Sequence, residues 1–338
     1  MRAAVLHAAG SPDAFDICEV DRPDVGPDDV LIRVGACGVS FRDVVERNGT
    51  YKRDVSYPLI IGLEISGTVV EAGALVEDLQ IGDRVCTKAF SSCGRCNLCR
   101  SGRETTCSRR RPVRGGYAEY VALPQDACVR TPADMPFEVS CGLGPSAGVA
   151  VNAVRDVAHV SIGETVLVTG ATGGVGVPAV QIARAMGARV IAVTRSEDKR
   201  DMLSAIGAHE AVVAEPDAFA REVRALTDGR GVDVVIDTVG SRVFDAAFDS
   251  LAVHGRYAMV GQLYGENIAI NPARIFFKRA QILGVGSVSR VQLEDAIALT
   301  ASGVVQPQIA RIMPLEEVAE AHRLVEGGAA AGRIILKP

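Results

Sequence analysis

A glycine-rich turn between an apolar strand and a helix restricts the fold of this chain more than any other feature. Residues 166–169 predict a strand, and residues 174–187 predict a helix. Glycine is needed where the turn is tight, where the backbone approaches a pyrophosphate, and where a helix N-terminus points free N–H groups at that anion. This context favours a dinucleotide site over an ordinary glycine-rich turn. The predicted cofactor-binding residues are Ala171, Thr172, Gly173, Gly174, Val175 and Gly176, with alanine where the first fingerprint glycine is common.

The end of the next predicted strand, residues 188–195, bears on the choice of cofactor. NAD sites usually carry an acidic residue there, which binds the ribose hydroxyls. This chain has Thr194 and Arg195 instead, followed by Lys199. An acid would repel a 2′-phosphate, whereas Arg195 would attract one and Lys199 could make a second contact. We therefore predict NADPH, with the alternative that Arg195 is a solvated surface charge.

The pattern of predicted secondary structure changes along the chain, which indicates two domains. Up to about residue 130 it reads as short strands broken by Gly, Pro and Asp. From about 160 strands alternate with helices, as in a parallel sheet with right-handed crossovers. Gly240 and Gly261 follow two of these strands, where the carboxyl edge of such a sheet meets a cofactor. From about 290 two amphipathic helices and a terminal strand are predicted.

Composition and charge exclude several classes of protein. Hydrophobic residues make up 48% of the 338 residues and charged residues 23%, which is typical of a globular chain with a core. The net charge of −5 does not favour nucleic acid. No apolar run approaches a membrane span, and the N-terminus lacks a signal-peptide core. We expect a cytoplasmic enzyme with reduced thiols, without nucleic-acid or membrane partners.

Four of the nine cysteines are closely spaced in the sequence. Two residues separate Cys93 from Cys96 and Cys96 from Cys99, and seven separate Cys99 from Cys107. Thiolates at such spacing favour zinc, and a closed four-sulfur site is structural because it leaves no position for substrate. We predict one structural zinc, with four buried free thiols as the alternative. The other five cysteines are interpreted as small core residues.

Taken together, these motifs resemble the medium-chain dehydrogenase/reductase superfamily over essentially the whole chain. The run from 171 to 176 followed by Gln181-Ile182-Ala183 is similar to its quinone-reductase and enoyl-reductase branch. A superfamily signature is matched by Pro58, Gly62, Glu64, Gly67, Val69 and Gly73. The resemblance implies a GroES-like β domain at 1–130 and 288–338, with a zinc lobe at about 91–110. It also implies an inserted Rossmann doubly wound sheet at 131–287, an active site between the two domains, and a homodimer or dimer of dimers.

The sequence differs from the family's alcohol dehydrogenases at the positions that bind their catalytic zinc. The Cys, His and Cys ligand positions fall on Ser40, Leu63 and Ser146. Neither a hydroxyl nor an isobutyl group replaces a thiolate or imidazole on zinc. We therefore expect no catalytic zinc and NADPH-dependent reduction of a quinone or α,β-unsaturated carbonyl, enoyl thioesters included. The alternatives are a zinc alcohol dehydrogenase with atypical ligands and a non-catalytic NADPH-binding protein.

The resemblance also implies the catalytic candidates Ser40, Asp43 and Tyr51, around the nicotinamide ring. Tyr51 is either a donor to a carbonyl oxygen or an ordinary half-buried aromatic residue. Asp43 is either a proton relay or a carboxylate that caps a helix. Glu64 is interpreted as structural. The arginines between 109 and 114 either bind phosphates of coenzyme A or belong to a solvated loop.

Overall fold

The computed structural model describes residues 1–50, 55–328 and 330–338, which fall into two units. Unit 1 comprises Met1–Gly148, Val288–Ala301 and Gln308–Pro338. Unit 2 comprises Val149–Ser287 and Ser302–Pro307. Within the described ranges, no helix combines the length and apolarity needed to cross a membrane.

The regular elements follow each other along the chain as a β-rich part, an alternating part and a mixed tail. The strands are β1 Arg2–Leu6, β2 Phe15–Glu19, β3 Asp29–Val39, β4 Glu64–Ala72, β5 Arg84–Thr87, β6 Phe90–Ser91, β7 Arg111–Pro112, β8 Tyr120–Pro124, β9 Cys128–Arg130, β10 Thr165–Thr169, β11 Arg189–Thr194, β12 Glu210–Val213, β13 Val232–Asp237, β14 Leu251–Met259, β15 Gln281–Gly284, β16 Ile309–Pro314 and β17 Arg333–Lys337. The α-helices are α1 Phe41–Arg47, α2 Asn97–Arg100, α3 Phe137–Ser140, α4 Val149–Val151, α5 Gly176–Ala185, α6 Arg200–Ala205, α7 Ala220–Ala225, α8 Ser241–Ser250, α9 Pro272–Lys278, α10 Arg290–Ala301 and α11 Val318–Gly327.

Unit 1 is built around the long strand β3. The sheet order is β16-β17-β3-β4-β5-β9, and β8 also pairs with β3. Other strands pair with both edges of β3, and most of its residues are buried. Its β-branched residues favour such a strand. The antiparallel register places Gly38 opposite Glu64 and Val39 opposite Ile334. The residues that follow β3 therefore lie beside those that precede β4.

A buried polar network joins α1 to α11 within unit 1. His322 Nδ1 lies 3.2 Å from Arg47 Nη1, and His322 Nε2 lies 3.1 Å from the hydroxyl oxygen of Tyr117. Arg47 also donates to Glu326 at 2.7 Å. Burial lowers the pKa of His322 to about 3, and the charge of Arg47 acts in the same direction. His322 is therefore neutral at physiological pH, and the network fixes α1, the helix that follows β3.

Unit 2 is a six-stranded parallel sheet with the order β12-β11-β10-β13-β14-β15. The chain winds outward from β10 to one edge and then from β13 to the other. The order reverses between β10 and β13, where Thr169 lies opposite Asp237. Ligands of such sheets bind beyond the carboxyl ends of the strands at this switch point. The predicted doubly wound sheet is confirmed.

One element boundary and one strand differ from the sequence prediction. The sequence predicts one helix over residues 244–252, but α8 ends at Ser250 and β14 begins at Leu251. Leu251 and Ala252 are buried in the sheet, so tertiary packing overrides the apolar continuity with the helix. Strand β16 was not predicted. It is an edge strand with only Met313 buried, and it lacks the alternation that marks a half-buried strand.

Candidate functional site

The glycine-rich turn after β10 has the geometry that a dinucleotide needs. Gly170 has a φ of +59°, which favours glycine and makes the turn tight. A Cβ on Gly173 would approach the Gly170 carbonyl oxygen to 3.2 Å, and one on Gly176 would collide with that oxygen. Gly176 begins the ten-residue helix α5. The turn therefore brings a helix N-terminus against the strand end, as pyrophosphate binding requires.

Gly240 and Gly261 meet at the ends of β13 and β14. Gly240 has a φ of +97°, and a Cβ there would lie 2.9 Å from the Gly261 carbonyl oxygen. A Cβ on Gly261 would lie 2.6 Å from the Thr238 carbonyl oxygen. Thr238 in turn donates its hydroxyl to the Thr169 carbonyl at 2.9 Å. The predicted glycines therefore gather with the turn at one edge of the sheet.

Asp237 organises this edge, and sequence reasoning did not single it out. The carboxylate is fully buried and accepts hydrogen bonds from Thr169 Oγ1 at 2.6 Å and Tyr257 OH at 2.8 Å. It also accepts from the backbone N–H groups of Val239 and Gly240. Burial raises the pKa of Tyr257, and the charge of Asp237 adds to the shift. The available signal was an acidic residue at the end of an otherwise apolar strand.

Two cations lie close together beyond β11. Thr194 is buried and its hydroxyl accepts from the Ser196 N–H at 3.2 Å, whereas Arg195 is exposed. Lys199 is 8% exposed and burial lowers its pKa, while the negative charge of Asp198 opposes this shift and the positive charge of Arg195 adds to it. The nearby Glu197 is engaged by Arg200 at 2.6 Å. Beside the carboxylate of Asp198, these two cations remain available to bind an anion.

Cys93, Cys96, Cys99 and Cys107 converge in unit 1. Their Sγ atoms all lie within 4.8 Å of one another, with 3.4 Å between Cys96 and Cys99 and 3.9 Å between Cys96 and Cys107. Tetrahedral zinc with Zn–S bonds of about 2.3 Å needs sulfurs about 3.8 Å apart. A backbone hydrogen bond from Arg95 lowers the pKa of Cys93 to about 6, whereas burial raises that of Cys99 to about 12. The cluster fits a structural zinc site.

Ser40 and Asp43 form a capping box at the start of α1. The Asp43 Oδ2 atom accepts the Ser40 hydroxyl at 2.6 Å and the Ser40 N–H at 2.8 Å, and the Asp43 N–H donates back to Ser40 Oγ at 3.4 Å. Among the residues that the structure describes, Asp43 Oδ1 is buried without a hydrogen-bond partner. Burial raises the pKa of Asp43 to about 6 despite the bonds from Ser40. The box thus caps a helix and also holds a carboxyl group that can carry a proton near neutral pH.

A buried ion pair between Glu64 and Arg333 lies beside this box. The two side chains are 2% and 14% exposed. Burial lowers the pKa of Arg333 to about 10, opposed by the charges of Asp43 and Cys37, so the guanidinium stays charged. A Cβ on Gly38 would collide with Glu64 Oε2, and one on Gly142 would approach it to 3.2 Å. Both glycines therefore leave room for the ion pair.

The three residues at the expected ligand positions lie in the segments next to this ion pair. Ser40 follows β3, and Leu63 precedes β4 in the paired register. The Leu63 carbonyl accepts from Thr87 Oγ1 at 2.9 Å. Ser146 Oγ would lie 3.6 Å from a Cβ on Gly142, so it lies near Glu64 as well. They present two hydroxyl groups and an isobutyl group, while Tyr51 lies outside the described residues.

Sequence reasoning also missed the partners of this site. Arg333 is far from Glu64 in the chain, and the only signal was one acidic residue in the apolar run around residues 59–65. Arg42 was not considered, although it lies in α1 between Ser40 and Asp43. Its guanidinium lies 4.9 Å from the centre of the Phe90 ring.

Comparison with known proteins agrees with both units. Residues 26–133 match the alcohol dehydrogenase GroES-like domain, and residues 174–302 match the zinc-binding dehydrogenase family. The chain is 32% identical over 343 residues to an acryloyl-coenzyme A reductase of Sulfurisphaera tokodaii, covering all of both proteins. It is 33% identical to an alcohol dehydrogenase of Geobacillus stearothermophilus, with 100% and 99% covered. It is 30% identical to the quinone oxidoreductase of Pongo abelii, with 99% and 97% covered.

Solved structures show the same fold. AibC is 40% identical with a TM-score of 0.94, and the match covers 100% of this chain and 96% of AibC. A zinc-binding dehydrogenase of Sinorhizobium meliloti, solved with NADP bound, is 29% identical with a TM-score of 0.85 over 100% and 99% of the chains. A GroES-like domain with a Rossmann sheet and a dinucleotide turn defines an NAD(P)-dependent oxidoreductase. The chain belongs to the medium-chain dehydrogenase/reductase superfamily.

Proposed function

We propose that this protein is an NADPH-dependent reductase that delivers hydride to a quinone or an α,β-unsaturated carbonyl, with enoyl thioesters as the preferred class. The observation that carries the proposal is that Ser40, Leu63 and Ser146 lie in the segments next to the ion pair of Glu64 with Arg333. None of the three offers a thiolate or imidazole, and the nearby carboxylate is already neutralised by a guanidinium. The similarity to an acryloyl-coenzyme A reductase favours the thioester among the acceptors.

The chemistry of the acceptor explains why such a site can work without a catalytic metal. Oxidation of an alcohol needs a Lewis acid that stabilises the alkoxide before hydride leaves. Reduction of an enone, enoyl thioester or quinone generates a delocalised anion instead. Orientation and a hydrogen bond to the developing oxyanion are then enough. These are functions that polar side chains and backbone N–H groups can supply.

In the proposed mechanism the residues of unit 2 bind the cofactor and those of unit 1 handle the substrate. The turn from Ala171 to Gly176 would hold the pyrophosphate, and Arg195 with Lys199 the 2′-phosphate. NADPH supplies the hydride when bound. Gly240 and Gly261 would let the cofactor approach the sheet edge closely. The four cysteines would hold one zinc that stabilises their lobe and takes no part in the chemistry.

Ser40 and Asp43 are the proposed proton donors. Once hydride has added to the β-carbon of an enoyl substrate, the α-carbon must take a proton as the carbon–carbon π bond is lost. Ser40 Oγ would give its own proton to the α-carbon and recover one from protonated Asp43, with the 2.6 Å hydrogen bond between Ser40 Oγ and Asp43 Oδ2 reversed so that the carboxyl group donates. Asp43 would then be reprotonated from solvent. Its raised pKa of about 6 suits this exchange near neutral pH.

A metal count together with paired assays tests the proposed function. We expect one zinc per chain, rapid NADPH oxidation with crotonyl-CoA or a small quinone, and no measurable NADP⁺ reduction with ethanol. The zinc bound by a Cys96→Ser variant should fall well below one per chain. Two zincs with brisk alcohol oxidation would support a dehydrogenase with atypical ligands. Cofactor binding without turnover of any acceptor would support a non-catalytic binding protein.

Cofactor preference depends on the cation pair beyond β11. Because a charge-assisted contact contributes roughly 1.5–3 kcal/mol, NADPH should bind about tenfold to a hundredfold more tightly than NADH. Arg195→Ala should remove most of that preference by weakening NADPH binding alone. Titration of both cofactors by fluorescence measures it, with Arg221→Ala on the exposed face of α7 as the matched control. Equal affinities in the unmodified protein would contradict the assignment.

A further inference from the structure

Two arginines of unit 1 lie over the same aromatic ring. The guanidinium carbon of Arg42 is 4.9 Å from the centre of the Phe90 ring, and that of Arg110 is 5.0 Å from it. The two charges are thus no more than about 10 Å apart. All three side chains are half-buried, so their mutual repulsion is screened less than on an open surface.

Hydrogen bonds hold both guanidinium groups in this place. Arg42 Nη1 lies 3.5 Å from the Ala89 carbonyl oxygen, and Arg110 Nη1 donates to the Thr105 carbonyl at 2.7 Å. The strand pair β6–β7 fixes the ring between them, because Phe90 is opposite Pro112. Cation–π contact with the Phe90 ring further stabilises each guanidinium in this position. The arrangement is held by the fold rather than by flexible surface side chains.

The surrounding segment concentrates positive charge in a chain whose net charge is −5. Residues 93–114 contain one acidic residue, Glu104, and it already bonds to the Lys88 ammonium at 3.0 Å. Arg114 pairs with the buried Glu46. The same segment contains seven arginines: Arg95, Arg100, Arg103, Arg109, Arg110, Arg111 and Arg114. Such a surplus beside the candidate site attracts anions.

We propose that Arg42 and Arg110 form an anion subsite that binds an oxyanion carried by the substrate. The oxyanion is either a phosphate of a coenzyme A thioester or a carboxylate of the acyl chain. The inference rests on the proposed function and names the substrate class of the same site. Arg42 lies two residues from Ser40, so the anion would be held on the substrate-binding side of unit 1. The planar guanidinium groups suit both oxyanions, because each can donate two parallel hydrogen bonds.

The subsite fits a small substrate better than a nucleic acid. Its two cations surround one ring and are partly buried, which suits a single anionic group. A polyanionic strand would need an exposed basic stripe that follows its phosphates, whereas the whole chain is acidic. Phe90 keeps the guanidinium groups apart and oriented, so a ligand would not have to order them on binding.

A binding experiment tests the subsite independently of turnover. Free coenzyme A, which cannot be reduced, is titrated by calorimetry into the full-length protein and into Arg42→Gln and Arg110→Gln variants. If the anion is a phosphate, the Kd should rise at least tenfold in each variant and should partly recover in Arg110→Lys. Arg100→Gln is the matched control, because Arg100 is an exposed arginine of the same lobe. Melting temperatures check that each variant is folded.

Two substrate pairs then identify the source of the anion. Crotonyl-CoA is compared with crotonyl-pantetheine, which lacks the nucleotide phosphates, and monomethyl fumarate with dimethyl fumarate, which lacks the carboxylate. For one of the two pairs, kcat/KM of the unmodified protein should differ at least tenfold between its two substrates. The Arg42→Gln and Arg110→Gln variants should lose this difference and leave the kcat/KM ratio of the other pair unchanged. The subsite would be overturned if Arg42→Gln and Arg110→Gln changed neither coenzyme A binding nor either substrate pair. Equal effects of Arg100→Gln would overturn it as well. If coenzyme A binding depends on Arg110 but no acceptor is reduced, the subsite holds and the proposed function fails.

Discussion

Replacing Arg333 by leucine should lower the free energy of unfolding of unit 1 by about 3–5 kcal/mol. The substitution leaves the carboxylate of Glu64 buried without its counter-charge, and an uncompensated buried charge is among the most costly single defects. Gly38 and Gly142 pack against Glu64, so the side chain has little room to turn towards water. Urea unfolding followed by far-UV circular dichroism measures the loss, because the chain has no tryptophan.

A double replacement separates the lost charge from lost packing. Glu64→Leu with Arg333→Leu removes both charges and should recover most of the stability, to within about 1–2 kcal/mol of the unmodified protein. A Lys337→Ala variant, on the same strand β17 as Arg333, loses a partly exposed pair with Glu138 of α3 and should change stability by less than about 1 kcal/mol. If the double variant were as unstable as Arg333→Leu alone, packing of the arginine rather than its charge would be the cause.

The alternating part of the fold was predictable because its signal is local. Strands such as β10 and β11 are continuous apolar runs bounded by glycine and charge, and α5 follows directly from the turn. The boundary between α8 and β14 was missed because Leu251 and Ala252 are equally apolar in either element. Strand β16 was missed because an edge strand that buries only Met313 carries almost no periodic pattern.

The candidate site likewise contains features that could be predicted from the sequence and features that could not. The glycine-rich turn and the four cysteines could be predicted, because each set lies within one short segment and its chemistry follows from spacing. The ion pair of Glu64 with Arg333 and the stacking of Arg42 and Arg110 on Phe90 could not. These contacts depend on the register of β3 with β4 and β17 and on the β6–β7 pair, which no local pattern specifies.

The second large effect is expected at Asp43. Asp43→Asn keeps an amide oxygen that can accept from the Ser40 N–H, but it removes the group that holds the proton. We expect kcat for enoyl reduction to fall by about 100-fold or more, with KM changed little. In the unmodified enzyme kcat should fall as the pH rises above about 6, because the proposed donor is then ionised. The variant should lose this dependence, and Ser40→Ala should show a similar loss of rate.

Stability measurements distinguish this role from simple helix capping. The folded-state pKa of Asp43 is raised from 3.8 to about 6, so the folded protein binds the proton more tightly than the unfolded chain does. The stabilisation relative to the ionised form is fully present below about pH 4 and is lost as the pH rises through 6. At about 1.4 kcal/mol per pKa unit it amounts to roughly 3 kcal/mol. Asp43→Asn should therefore gain stability relative to the unmodified protein as the pH rises from 4 to 7.

A cap alone would predict the opposite, because an ionised carboxylate accepts hydrogen bonds from backbone N–H groups better than an amide does. If Asp43→Asn were less stable at pH 7 than at pH 4, relative to the unmodified protein, the carboxylate would be ionised in the folded state and could not be the proton donor.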